Sequence, residues 1–259
     1  MAKKVQSLQR AMKILRLFSL HRPYLGISEI SRELNISKGT IQGMVQTLSD
    51  EGLLRKDPAT RKYLLGLDLY ELGVVVAGSL ELNQKASAPA NQLAKRTQRL
   101  ISVAVRDNNT ALITLDAYPR VEPFISRHFE PRRPLYCTAI GKSMLVAMND
   151  SELEDYLDAT KLLPYTVNTI TKRQLLLAEV HEARLRGYAI NRAEHTLTRG
   201  GIGAPILQRD GKLAGSIAIV ISPDQITANE DRLSSEVKNA AAEISRYMGY
   251  FKEIAERMR

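Results

Sequence analysis

The 259-residue chain has one cysteine, Cys137, so it cannot form an internal disulfide, which fits a reducing cytoplasm. No apolar run approaches the roughly 20 residues that a membrane-spanning helix needs. Met1-Ala2-Lys3-Lys4 leads into an amphipathic stretch rather than the apolar region of a signal peptide. The four histidines, His21, His128, His181 and His195, show no metal-ligand spacing. His181-Glu182 is followed at the fourth position by Leu185, so the zinc-protease pattern fails. Gly201-Ile202-Gly203 has no phosphate-loop lysine after it, and Gly141-Lys142-Ser143 has Tyr136 where such a loop needs glycine. Cys137 as a nucleophile with His128 or His195 as its base is the remaining catalytic arrangement, and a lone cysteine is far more often packing. No metal or cofactor is expected, and enzymatic function is not supported.

Acidic residues are scarce at one end. Residues 1–66 hold 12 Lys/Arg against 5 Asp/Glu, a net +7, while the other 193 residues hold 25 against 23. Localised charge of this kind is the footprint of a polyanion-binding domain attached to a near-neutral one. A membrane-surface patch is the weaker alternative, since no helix pairs a basic face with an exposed aromatic one. The length suits two domains, and an apolar share of 44% allows a sizeable core.

Within the basic region, Ile27, Ile30 and Leu34 recur at helical spacing, with Ser28 as an N-cap. Asn35-Ile36-Ser37 breaks the pattern, and Ser37 caps a second helix with Ile41, Met44, Val45 and Leu48 on its apolar side. Two short helices across so tight a turn predict a helix-turn-helix, with Lys38, Thr40, Gln42 and Gln46 on the polar side for phosphates and base edges. A helical hairpin with a solvated face is the bland reading. Leu53–Lys56 and Arg61–Leu65 then read as strands around an Asp57-Pro58-Ala59-Thr60 turn. A basic hairpin directly after a helix-turn-helix predicts the wing of a winged helix, with Arg55, Lys56, Arg61 and Lys62 flanking the turn. Ser7 to Leu20 precedes them as a helix, with Leu8, Ala11, Leu15 and Phe18 inward.

After Gly66 a helical run reaches toward Leu82, apolar on more than one side, so either a buried inter-domain helix or a dimer contact explains it. Ala86–Gln98 is a further helix, with Pro89 near its start. The period then changes to two over Leu100–Arg106 and Thr110–Tyr118, with a third strand expected at Phe124–His128. Residues 134–142 lead to a helix at Ser143–Ala147. Asp150–Leu157 and Lys172–Arg186 are also helical. Strands at 188–194, 202–207 and 212–221 and a long helix from Thr227 to Met258 close the chain. Strands at both ends with helices between predict an α+β domain.

PLYCTAIGKSML, from Pro134 to Leu145, resembles the Pro-Leu-His-x-Thr-Ala-x-Gly-Lys signature of the IclR family of bacterial transcriptional regulators. Arg186-Gly187-Tyr188-Ala189 with Glu194, Gly203-Ala204-Pro205-Ile206 and the Tyr63-Leu64-Leu65-Gly66 exit from the wing match as well, in family order and over essentially the whole chain. The resemblance implies a winged helix at 1–66, a linker helix at 67–84 and a GAF-like effector domain at 85–259. It implies double-stranded operator DNA as partner, self-association as a dimer or a dimer of dimers, and a small organic acid as effector. The function implied is a ligand-responsive repressor of a catabolic operon; the alternative is a metabolite-binding protein or enzyme with no DNA role.

By the same resemblance the effector contacts fall at Phe124, Ile125, Ala139, Ile140, Asn191, Gly201, Ile219 and Ile221. Core packing explains Phe124, Ile219 and Ile221 individually just as well. The sequence departs from the family at Gly43, where arginine is usual, at Asn191 (an acid), at Gly201 (a cysteine) and at Ile219 and Ile221 (small hydroxyls). Those changes predict a less polar pocket, with Gly201 adding room, for a carboxylate with an aromatic or alkyl body.

Overall fold

The computed structural model describes residues 4–119 and 131–251, in two compact units that divide between Ser79 and Leu80. The first unit holds α1 (Gln6–Leu15), α2 (Ile27–Leu34), α3 (Lys38–Asp50), the hairpin β1 (Leu54–Lys56) and β2 (Tyr63–Leu65), and α4 (Asp68–Ser79). Ile14, Phe18, Leu25, Ile30, Ile41, Val45, Leu48, Leu54 and Tyr63 form its core. Paired main-chain hydrogen bonds between Leu25 and Tyr63, at 3.0 and 2.9 Å, tie the wing to the segment before α2.

Several details differ from the sequence expectation. The first helix stops at Leu15 instead of Leu20; its C-terminal half carries the core contact, so Ile14 is buried while Leu8 is 65% exposed. Ser28 lies inside α2 and is not its cap. The Gly26 N–H donates to Glu29 Oε2 at 2.7 Å, which also holds the Glu29 carboxyl below its ordinary range, with Lys62 adding to the effect. Asn35 ends α2 in the left-handed region at φ 54°, a conformation its short side chain tolerates.

The second unit begins at α5 (Glu81–Thr97), which starts five residues earlier than Ala86 and carries Pro89 in its middle. Leu82, Ala86, Ala90, Leu93 and Ala94 make a stripe against the sheet, and that burial outweighs the hydrogen bond that Pro89 cannot donate. Asn83 pins the same helix: it accepts from Thr114 Oγ1 at 2.6 Å and donates to the Thr114 carbonyl at 3.3 Å. There follow β3 (Ile101–Asp107), β4 (Thr110–Ala117), β5 (Arg132–Pro134), α6 (Ala139–Ala147), α7 (Asp150–Ala159), α8 (Arg173–Arg186), β6 (Ala189–Thr196), β7 (Arg199–Leu207), β8 (Leu213–Ile221) and α9 (Ile226–Tyr247). The strand expected at Phe124–His128 lies outside the described residues. The strand β5 was not expected, and α6 starts four residues before Ser143.

The six strands run β5-β4-β3-β8-β7-β6, each neighbouring pair antiparallel. One face packs on α5 and α9, and the other on α6, with α8 against β6 and α7 joining the same core. The molecule is therefore a winged helix followed by an α+β domain, the fold class that the sequence predicts.

Period two assigns each strand residue to one face. Ile202, Ala204 and Ile206 of β7 and Ile217, Ile219 and Ile221 of β8 join Leu93, Leu233 and Val237 in the α5/α9 core. Gly201 and Gly203 of β7 and Ser216 and Ala218 of β8 meet α6 instead.

Candidate effector site and nucleic-acid interface

Ser37 caps α3: its hydroxyl accepts from the Thr40 N–H at 3.3 Å and lies 2.8 Å from the Thr40 hydroxyl. Ile41, Val45 and Leu48 are buried, while Lys38, Thr40, Gln42 and Gln46 are exposed. Lys38, Gln42 and Gln46 are four apart and form one stripe. Gln46 Nε2 donates to Asp50 Oδ1 at 2.7 Å, and the Thr40 hydroxyl is engaged at the cap. Gly39 and Gly43 lie next to this stripe, and a Cβ at either would meet nothing within 4 Å. The missing side chains bare the helix backbone on the exposed side.

In the wing, Asp57 Oδ2 accepts from the Thr60 N–H at 2.8 Å and closes a six-residue turn, so the strands are shorter than expected. Arg55, Lys56 and Arg61 are exposed and form no ion pair among the described residues; Lys56 Nζ lies 5.7 Å from the Tyr63 ring centre. Lys62 differs from the other three. Its ammonium lies 3.1 Å from Glu29 of α2, so part of its charge is engaged within the unit.

The effector-domain residues gather around the start of α6. Thr138 caps the helix: its hydroxyl accepts from the Gly141 N–H at 3.1 Å and donates to the Pro134 carbonyl at 2.8 Å. The Lys142 N–H bonds the Thr138 carbonyl at 2.8 Å. The N–H groups of Ala139 and Ile140 make no hydrogen bond among the described residues, as first-turn donors do unless something is brought to them. Asn191 approaches from β6, where its Oδ1 accepts from the Glu194 N–H at 2.8 Å across a turn with Ala193 at φ 61°.

Gly201 does not add room. A Cβ there would lie 2.8 Å from the Ile219 carbonyl oxygen and 3.2 Å from Ala139 Cβ, and one on Gly203 would lie 2.7 Å from the Ala139 carbonyl oxygen. The two glycines let the first turn of α6 close down on β7.

Ile219 and Ile221 do not line this site. They point into the α5/α9 core, 0% and 3% exposed, because a one-residue shift along a strand reverses the face. The β8 residues on the α6 side are Ser216, Ala218 and Val220, the last opposite Gly201 in the ladder. Ser216 is buried and bonds the Ile140 carbonyl at 2.8 Å beside Ser143. The alternation of Ser-Ile-Ala-Ile-Val-Ile over 216–221 carries that information, but only once the inward face is known. Phe124 and Ile125 lie outside the described residues. Cys137 is buried, and burial pushes its thiol up to about 12, which removes the thiolate that nucleophilic chemistry needs.

Among the described residues no cluster of three or more His, Cys, Asp and Glu is placed to hold a metal, and no helix is long and apolar enough to cross a membrane.

Residues 7–58 match the IclR helix-turn-helix domain, and residues 74–246 match the bacterial transcriptional regulator IclR C-terminal domain. The chain is 31% identical over 253 residues to the HTH-type transcriptional regulator KipR of Bacillus subtilis (strain 168), covering 96% of this chain and 100% of that protein. It is 25% identical over 247 residues to the HTH-type transcriptional regulator XynR of Escherichia coli (strain K12), covering 95% and 98%. The crystal structure of an IclR transcriptional regulator from Alicyclobacillus acidocaldarius superposes with a TM-score of 0.82 at 25% identity, covering 95% and 100% of the two chains. An IclR homolog from Microbacterium hydrocarbonoxydans, solved in complex with 4-hydroxybenzoate, shares the fold with a TM-score of 0.80 at 20% identity over 94% and 99%.

Proposed function

The chain belongs to the IclR family of DNA-binding transcriptional regulators, and from that premise we propose that it is a homodimeric repressor of a catabolic operon, released by a carboxylate with an apolar body. The observation that carries the effector class is the pair of unbonded N–H groups, Ala139 and Ile140, beside the β8 residues Ala218 and Val220, where the neighbouring hydroxyl of Ser102 is already bonded to Asp116 at 2.6 Å. The helix dipole and two aligned donors favour one anionic group there. Because Asn191 commits its Oδ1 to Glu194, its Nδ2 remains as a further donor for the same carboxylate. Ligand hydroxyls facing alanine and valine would be buried without partners, at about 1–3 kcal/mol each. That cost selects an aromatic or medium-chain acid over a sugar acid.

On the DNA side, Lys38, Gln42 and Gln46 reach the major groove, while Arg55, Lys56 and Arg61 hold phosphates, with Ser37 and Thr40 at the helix start and Lys62 in a lesser role. The linker supports self-association: among the described residues α4 has no buried side chain, and Leu67, Tyr70, Leu72 and Val76 are each more than half exposed. An apolar surface of that kind seeks a second copy. Two copies present two recognition helices to two half-sites.

Calorimetric titration of the full chain against benzoate, 4-hydroxybenzoate, hexanoate, glyoxylate and gluconate tests the effector. The apolar acids bind and the two polar acids do not; tight binding of gluconate or glyoxylate with no response to the others overturns the reading. Light scattering at micromolar concentration tests assembly, and a lone 28.9 kDa species contradicts it.

A further inference from the structure

Arg199 opens β7 two residues before Gly201, so it shares the sheet face that Gly201 turns to Ala139. Gly200, between them, faces the other way, where a Cβ would run into Ile226. Two residues of strand span about 7 Å, which sets Arg199 just beyond the first turn of α6. Arg133 flanks the same helix start from β5: the carbonyl of the next residue, Pro134, accepts from the Thr138 hydroxyl at the cap. Tyr118 follows Ala117, which packs in the α5/α9 core, and so lies on the α6 face as well.

Arg199 is half-buried and makes no hydrogen bond or ion pair among the described residues. The acids of neighbouring strands are engaged elsewhere. Glu194 holds Lys142 at 2.6 Å, and Asp116 accepts from the Ser102 hydroxyl at 2.6 Å. Burial holds the Arg199 guanidinium below its ordinary range, the like charge of Arg133 lowers it further, and Tyr118 opposes them. Arginine is seldom buried without a partner, so this one calls for an anion.

The helix start is the other positive pole. Ala139 and Ile140 present their N–H groups there. Asn191, opposite Gly201 in the ladder, is 6% exposed; its Oδ1 is bonded to the Glu194 N–H, while its Nδ2 has no partner among the described residues. Those donors suffice for one carboxylate, which has about four acceptor sites. Arg199 is a second pole one strand step away, with Val220, opposite Gly201, as apolar surface beside them.

We propose that the effector is a dicarboxylic acid: one carboxylate rests on the Ala139 and Ile140 N–H groups, and the second pairs with Arg199 across an aromatic ring or short alkyl chain. This rests on the effector reading above and adds a second charge to its apolar acid. Arg199 is then the residue that separates diacids from monoacids, since a guanidinium can hold a carboxylate through two parallel hydrogen bonds.

Calorimetric titration of the full chain with terephthalate, its monomethyl ester, benzoate, adipate and hexanoate tests it. Each diacid binds about tenfold or more tighter than its monoacid, and the ester, similar in size but singly charged, binds like benzoate. Arg199→Leu, its fold checked by circular dichroism, removes the advantage of the diacids and leaves benzoate and hexanoate within about twofold. Arg199→Lys keeps part of the advantage, because it retains the charge without the planar fork. A monoacid or the ester binding as tightly as the diacids overturns the proposal and leaves the effector reading standing. So does an equal loss for benzoate and terephthalate in Arg199→Leu, which would put Arg199 and the helix start on one carboxylate. Binding of none of these acids overturns both.

Discussion

The reversal of faces along β8 gives the sharpest mutational test, because adjacent residues must behave in opposite ways. Ile219→Thr removes one buried carbon and converts another into a hydroxyl, in a core where Ile219 is fully covered and neighbours Ile101 and Ile202 across the ladders. The lost burial costs about 0.8 kcal/mol per CH₂ before any cavity is counted. A buried hydroxyl without a partner adds about 1–3 kcal/mol. The total is about 3 kcal/mol, which at about 2–4 °C per kcal/mol lowers the melting temperature of this unit by about 6–12 °C. Val220 is half-buried on the other face, so the hydroxyl of Val220→Thr keeps access to solvent and its cost stays within about 1 kcal/mol. It should weaken apolar acids and improve hydroxylated ones, whereas Ile219→Thr leaves that preference alone. Scanning calorimetry and ligand titration read the two effects. Equal stability losses, or a ligand preference that shifts with Ile219 and not with Val220, would refute the assignment of faces.

Gly203→Ala brings a Cβ to 2.7 Å from the Ala139 carbonyl oxygen, a backbone contact that cannot give way, so thermal unfolding should show a loss of about 2 kcal/mol or more and effector affinity should fall with it. Arg55→Ala or Arg61→Ala should lower affinity for all DNA sequences and reduce the salt slope by about one, measured by anisotropy across a salt series. Lys62→Ala should do less, because its ammonium already pairs with Glu29; equal slopes for all the wing variants would contradict that. Cys137 should resist thiol reagents near pH 8: with its ionisation raised from 9.0 to about 12, the native thiolate fraction falls about a thousandfold. Labelling as fast as in denaturant would show the thiol to be accessible.

Much of the fold could be read from periodicity. The helix-turn-helix, wing, alternating strands and long last helix follow from spacings of 3.6 and 2 and from turn residues such as Asn35 and Gly187, both in the left-handed region. Boundaries failed where a tertiary contact decided them. Pro89 argued for a helix start, yet the stripe from Leu82 to Ala94 carries α5 through it. Gly26 displaced Ser28 as a cap because Glu29 reaches back to its N–H.

Of the residues that the family resemblance assigns to an effector, Ala139, Ile140, Asn191 and Gly201 gather at the start of α6, whereas Ile219 and Ile221 face the α5/α9 core. A strand with apolar residues on both faces does not declare which set faces which helix. The Lys142–Glu194 pair was also hidden, since 52 residues separate its members and nothing local links them.

We propose that one chain couples operator binding to an apolar carboxylate. Fluorescence anisotropy of the full-length protein with DNA from upstream of its own gene, with and without the benzoate and hexanoate series, measures both halves at once. Binding should be salt-sensitive and sequence-specific, and an apolar carboxylate should reverse it where gluconate does not. Specific binding that only a polyhydroxy acid relieves, or no binding beyond that to random DNA, contradicts it.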